Sequence, residues 1–155
     1  MRYLGIDPGL TGAIAIISDE VEIFDAPTAQ VGRKTVLLVS EMVRLLTKLA
    51  NQISPMVAAI ENVHSMPRQG VASSFSFGKG VGYWIGILAA LGIPYEEVTP
   101  QRWQAAMLDG MQKSKDASRV RAMQMFPQLS EQLKLKRHSG RADALLIAAW
   151  RKRQR

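Results

Sequence analysis

A chain of 155 residues is long enough for one hydrophobic core and short for two. Its 47% hydrophobic and 21% charged residues are those of a soluble globular protein, and the absence of cysteine excludes disulfides and thiolate metal sites. A net charge of +7 and a pI of about 10.1 favour a polyanionic partner, nucleic acid foremost, over a small neutral substrate. The charge is uneven: residues 111–155 hold twelve Lys/Arg against three Asp/Glu, a surplus larger than that of the whole chain. The opening residues read as a strand rather than a charged segment followed by an apolar run and a cleavage site, and the longest apolar stretch, around residues 81–91, is too short and glycine-rich to span a bilayer. The expectation is a cytoplasmic protein with no membrane partner.

The first stretch, Met1 to Gly12, is an apolar strand running into Asp7 and a Pro8-Gly9 turn. Strand alternation puts Leu4 and Ile6 on one face and Tyr3, Gly5 and Asp7 on the other. Residues 13–17 and 21–24 read as two more strands joined by short turns, an antiparallel meander. Residues 25–34 read as a polar loop, and residues 35–52 as a helix with Val36, Val39, Val43, Leu46 and Ala50 at helical spacing. Residues 56–61 form a buried strand that ends in Glu61. Residues 62–74 show no apolar period and read as a loop. Residues 75–91 read as a helix that tolerates several glycines, and residues 93–98 as a fifth strand, near an edge because of Pro94. Thr99-Pro100 starts a short helix through Leu108, with Thr99 as its cap. Residues 116–126 are helical up to Pro127, residues 130–137 are a short basic segment, and Ser139-Gly140 opens a helix through Trp150. This order fits an α/β fold: a mixed five-stranded sheet, three strands antiparallel and two parallel, with helices on both faces, in a single domain over residues 1–155.

Three acids stand at positions where chemistry is done. Asp7 and Glu61 end strands, and Asp143 lies near the start of the last helix, on one face with Leu146, Ile147 and Trp150. Carboxylates held close repel one another, so a cluster of them calls for a cation, and oxygen ligands suit Mg²⁺ or Mn²⁺. Two such ions can activate water and stabilise the leaving oxygen in phosphodiester cleavage. Each acid also has a plainer reading. Asp7 can cap its turn, Glu61 can be a solvated strand end, and Asp143 can be a first-turn acid favoured by the helix dipole. The sequence alone does not bring the three together.

The motifs Gly5-Ile6-Asp7-Pro8-Gly9, Ile60-Glu61 and Gly140-Arg141-Ala142-Asp143-Ala144-Leu145-Leu146-Ile147-Ala148 together resemble the RuvC-like Holliday junction resolvases, in the phage-type branch related to the chloroplast enzymes. Met66-Pro67-Arg68-Gln69-Gly70-Val71, Phe75-Ser76-Phe77-Gly78 and Val98-Thr99-Pro100 also look like this branch, so the resemblance runs over nearly the whole chain in order. It implies an RNase H-like fold, a homodimer, and Mg²⁺-dependent crossover junction endodeoxyribonuclease activity with two ions per site, for which Mn²⁺ substitutes, and no small-molecule cofactor. The substrate implied is four-way junction DNA, cut by paired symmetric nicks that leave 5′-phosphate and 3′-hydroxyl ends. By motif, Asp7, Glu61 and Asp143 are the catalytic metal ligands. The family carries a fourth metal-site residue just before the last aspartate. In the phage-type branch an Asp-His pair is expected there, whereas this chain has His138-Ser139, which makes His138 the candidate. Its plainer reading is as one more member of the basic run Lys134 to Arg137.

A junction is read by shape and backbone, so phosphate contacts should dominate. Arg68, Gln69, Gly70, Ser73 and Ser74 follow shortly after Glu61 and are candidate DNA contacts. Phe75 and Phe77 cannot share a helical face, so one is expected in the core and one near the DNA. In the family this region supplies a wedge into the junction centre. Lys79, Lys113, Lys115 and Arg119 are further phosphate candidates. Trp84 and Trp103 read as core or dimer contacts. The helices at residues 36–53 and 81–91 both qualify as a dimer face, and the glycines favour the second. Two alternatives stand beside the junction nuclease: a non-catalytic branched-DNA-binding protein on the same fold, and an RNase H-like nuclease for another substrate such as RNA–DNA hybrids.

Overall fold

The computed structural model describes residues 1–62 and 70–154. β1 (Arg2–Asp7), β2 (Ala13–Ile17) and β3 (Val21–Asp25) form the expected antiparallel meander. The chain then makes a hairpin of β4 (Thr28–Val31) and β5 (Lys34–Leu37), and enters α1 (Val39–Ala50). β6 (Met56–Glu61) lies parallel to β1, and β7 (Tyr95–Val98) lies parallel to β6. The five-stranded sheet has the order β3-β2-β1-β6-β7, with β4 and β5 paired apart from it. Between β6 and β7 runs the long α2 (Val71–Ala90). After β7 come α3 (Pro100–Met107), α4 (Ala117–Met125), the short α5 (Ser130–Leu133) and α6 (Ser139–Arg153). Among the described residues no helix is long and apolar enough to cross a membrane.

Alternation along the strands divides the apolar residues into two layers. Leu4, Ile6, Ile14, Ile16, Ala58 and Ile60 point to the side covered by α1 and α2, where Met42, Leu46, Trp84 and Leu88 bury against them. Ala13, Ala15, Ile17 and Ala59 point to the opposite side, covered by α3, α4 and α6. α6 is buried on nearly all sides from Ala142 to Trp150, as a helix apolar all round must be. It lies directly on β1: a Cβ on Gly5 would stand 2.1 Å from the Ala144 carbonyl oxygen and 2.3 Å from the Ala148 nitrogen. Gly5 thus makes room for the backbone of α6.

Three elements depart from the expected boundaries. Residues 25–34 are not a plain loop, because β4 and β5 pair from Thr28 with Leu37 to Val31 with Lys34 and turn at Gly32, whose φ is +62°. Their strand character rests on β-branched Thr28, Val31, Thr35 and Val36, without an apolar alternation to announce it. Thr35 and Val36 belong to that hairpin, so α1 begins later than predicted. α2 begins at Val71, earlier than predicted, because its first turns are largely exposed and show no one-sided apolar pattern.

Candidate active site

The sheet register sets the three acids in place. β1 and β6 pair in parallel with Ile6 opposite Ile60, so Asp7 and Glu61 leave the adjacent strand ends at the same level. Both lie on the α6 side, the side of Gly5 and Ala59. α6 descends onto that face with its first turn against the loop after β1. A Cβ on Gly140 would stand 2.3 Å from the Thr11 carbonyl oxygen and 2.9 Å from Asp7 Oδ2. One turn further on, Asp143 comes within electrostatic reach of both other acids.

The electrostatics follow from that crowding. Burial, then the charges of Asp143 and Glu61, push the Asp7 carboxyl up to about 7, against one opposing hydrogen bond from the Gly9 N–H at 3.4 Å. Glu61 is also raised, by burial and by Asp143, although the Trp103 indole N–H donates to its Oε1 at 2.8 Å and pulls the other way. Burial raises Asp143 as well, and a hydrogen bond with Ser118 of α4 opposes it. Three mutually repelling, partly desolvated carboxylates are the surroundings a hard divalent cation relieves, and the all-oxygen donor set suits Mg²⁺ or Mn²⁺. Among the described residues no three His, Cys, Asp or Glu side chains are already drawn into a cluster that could hold a metal ion. The acids that could hold one are therefore mutual electrostatic neighbours short of a closed cage.

His138 stands apart from them. Its ring is buried, and its Nδ1 accepts a hydrogen bond from the Leu135 N–H at 3.4 Å. Burial and the charges of Arg141, Arg137 and Arg119 hold it below the ordinary histidine range, with Asp25 alone opposing them. The charges that act on the ring are those of the three arginines and Asp25, not of Asp7, Glu61 or Asp143, so nothing in these surroundings supports the expectation that His138 joins the acids. The residue beside it that does make a strong contact is Arg141, whose Nε and Nη2 grip Asp25 Oδ1 and Oδ2 at 2.6 Å each, tying the start of α6 to the end of β3.

Arg119 is also corrected. It was expected to face phosphate, but its side chain is buried, held by Asp116 Oδ1 at 2.7 Å and by the carbonyls of Leu133 and Lys134. The other candidates are open to solvent or nearly so. Gly70, Ser73, Phe75 and Lys79 are exposed along the first half of α2, while Ser74 and Phe77 are half-buried. Phe75 is 72% exposed, so of the two phenylalanines it is the one held out from the core. Lys113 and Lys115 are exposed ahead of α4. Arg68 and Gln69 lie outside the described residues. Trp84 and Trp103 are fully buried in the core. Sequence reasoning missed Trp103 and Ser118 as partners of the acids. The signal was available for Trp103, since a buried indole carries a single N–H donor that usually finds an acceptor.

Comparison with known proteins bears on this arrangement. No protein-family model matches the chain. The chloroplastic Holliday junction resolvase MOC1 of Chlamydomonas reinhardtii is 35% identical over 85 residues, 55% of this chain, which spans only 10% of that protein's length. The Thermus thermophilus RuvC structure superposes with a TM-score of 0.61 at 21% identity, over 99% of this chain and 96% of that one. T. thermophilus RuvC in complex with Holliday junction substrate gives 0.66 at 20% identity over the same shares. The chain therefore has the RNase H-like fold of RuvC, with its mixed five-stranded sheet.

Proposed function

We propose that the chain is a metal-dependent endonuclease that resolves four-way DNA junctions, with Asp7, Glu61 and Asp143 as its metal-binding acids. The observation that carries the reading is the convergence of three acids, from β1, β6 and α6, to where burial raises all three and the neighbouring carboxylates raise Asp7 and Glu61 further. The fold shared with RuvC and the partial likeness to MOC1 point to the same class of reaction. Two Mg²⁺ ions, or Mn²⁺ in their place, would supply the charge that activates a water and steadies the leaving oxygen of the phosphodiester. The chain's own residues hold that charge in place: the Gly9 N–H steadies Asp7, the Trp103 N–H steadies Glu61, and Ser118 steadies Asp143. Hydrolysis would leave 5′-phosphate and 3′-hydroxyl ends.

DNA contacts are assigned to Gly70, Ser73, Ser74, Lys79, Lys113 and Lys115, with Phe75 as the apolar wedge, which its exposure supports. Paired symmetric nicks call for two sites and hence a homodimer. An apolar groove between α1 and α2, lined by Val39, Val43, Gly82, Tyr83, Gly86 and Ile87, supports that assembly, because the two glycines leave one face of α2 open to close approach. Sedimentation of the purified chain should give twice the monomer mass, and a monomer at the concentrations that cleave would rule the dimer out.

The deciding experiment is cleavage of a mobile four-way junction in Mg²⁺ and in Mn²⁺, with the nick positions mapped. Symmetric nicks are expected, and Asp7→Asn should abolish them while junction binding persists. Wild-type cleavage by that variant would refute the site. A histidine among arginines where the family carries its fourth metal-site residue, and an acid cluster that is not closed among the described residues, favour a second reading, a branched-DNA-binding protein without activity. Binding with no product in either metal would establish it. Competition with flap and RNA–DNA hybrid substrates tests the remaining alternative.

A further inference from the structure

Trp103 is 0% exposed, and its indole N–H has a single use among the described residues: it donates to Glu61 Oε1 at 2.8 Å. The backbone brings it there in three steps. β6 and β7 pair with Glu61 opposite Val98, and the Asn62 N–H closes the ends of both strands on the Val98 carbonyl at 2.8 Å. Thr99 then caps α3, its carbonyl accepting from the N–H groups of Arg102 and Trp103. One helical turn after the strand, the indole is over the carboxylate. Arg102 fixes α3 from the outside, bonded to Glu96 at 2.7 Å and stacked on Trp150 with its guanidinium 5.0 Å from the ring centre.

Packing alone does not produce such a contact. Trp84 is as deeply buried in the layer on the other side of the sheet, and its indole N–H meets no acceptor among the described residues. Trp103 differs in ending on one of the three acids. A carboxylate has two oxygens. The buried N–H takes one lone pair of Oε1 and restrains the turning of the carboxylate, which favours Oε2 as the oxygen offered to a cation.

We propose that Trp103 is a positioning residue that fixes Glu61 to offer a divalent cation one oxygen, Oε2, in a set orientation. The inference rests on the reading of Glu61 as a metal ligand given above. Hydrogen-bond partners of metal ligands typically account for 10–100-fold in metal affinity.

The test is Mn²⁺ uptake by the full chain without DNA, followed through the electron paramagnetic resonance signal of free Mn²⁺. Trp103→Phe keeps an aromatic ring in the core and removes only the donor and part of the volume. It is expected to weaken Mn²⁺ binding by about 10-fold or more while keeping the far-ultraviolet circular dichroism of the native fold. A merely structural tryptophan would lower the unfolding midpoint and leave Mn²⁺ affinity where it was, and that result in a folded variant overturns the proposal. A second measurement needs no change at Trp103. The chain has three tryptophans, so the ¹⁵N-labelled protein shows three indole resonances. One of them should shift with Glu61→Gln in the metal-free protein, and the same one should shift in the wild type on adding Mg²⁺. Three unmoved resonances overturn the proposal even if Trp103→Phe fails to fold. A wild-type chain that takes up no Mn²⁺ refutes the metal reading and this inference together. Uptake that Trp103→Phe leaves unchanged refutes this inference alone.

Discussion

Burial and two neighbouring carboxylates push the Asp7 carboxyl from 3.8 up to about 7. An acid whose folded-state pKa is raised prefers its protonated form in the folded protein. Its full stabilising share is present below pH 3.8 and is lost as the pH climbs through about 7. The loss is on the order of 4 kcal/mol for Asp7. Glu61 and Asp143 are shifted in the same direction. The metal-free protein should therefore melt at a lower temperature at pH 8 than at pH 5, and Asp7→Asn should flatten that slope. A melting temperature that rises from pH 5 to pH 8 would contradict the account. Arg119 lends itself to the opposite kind of test. Its buried guanidinium satisfies the Leu133 and Lys134 carbonyls. Arg119→Ala should thus cost about 2–3 kcal/mol in urea unfolding through the unpaired groups it leaves. It should not change the salt dependence of DNA binding. At this scale the three acids were legible in the sequence because each ends a strand or opens a helix in a motif. The surroundings of His138 were legible only in part, because Arg137 and Arg141 neighbour it in the sequence whereas Arg119 of α4 and Asp25 of β3 are brought to it by the fold.

The sheet and its covering helices were legible because their apolar residues keep period two or helical spacing over enough positions to stand out. The hairpin of β4 and β5 was not, since its strands are only four residues each, partly exposed and without a sustained apolar alternation. The start of α2 was hidden for a related reason: a helix end that packs on little writes no stripe. The contact between β1 and α6 gives the sharpest test of an element. A Cβ at Gly5 would meet two backbone atoms of α6, Ala144 O and Ala148 N, and backbone cannot rotate aside as a side chain can. Gly5→Ala should force the helix off the strand, at about 3 kcal/mol or more by urea denaturation. Because the same helix carries Asp143, Mn²⁺ uptake should fall with it. A variant as stable as the wild type would show that α6 does not lie where it is placed.

For the molecule as a whole, the number of phosphates its basic residues contact, rather than its net charge of +7, would set how junction binding responds to salt. The logarithm of the junction association constant should fall linearly with the logarithm of salt concentration. Lys113→Ala and Lys115→Ala should each reduce the slope by about 1 if the residue contacts a phosphate. An unchanged slope in both variants would remove the segment ahead of α4 from the DNA surface.

The parallel pairing of β1 with β6, and the seating of α6 across β1, have a consequence for the chain while it is being made. Asp7 leaves the ribosome early, Glu61 well after it, and Asp143 only once most of the domain has been synthesised. Until α6 has emerged and docked, the chain can display a strand, a hairpin and basic loops, but no assembled triad of acids. Long-range contacts of this kind form late in folding. A nascent or prematurely terminated chain that stops short of α6 thus has Asp7 and Glu61 without Asp143 beside them.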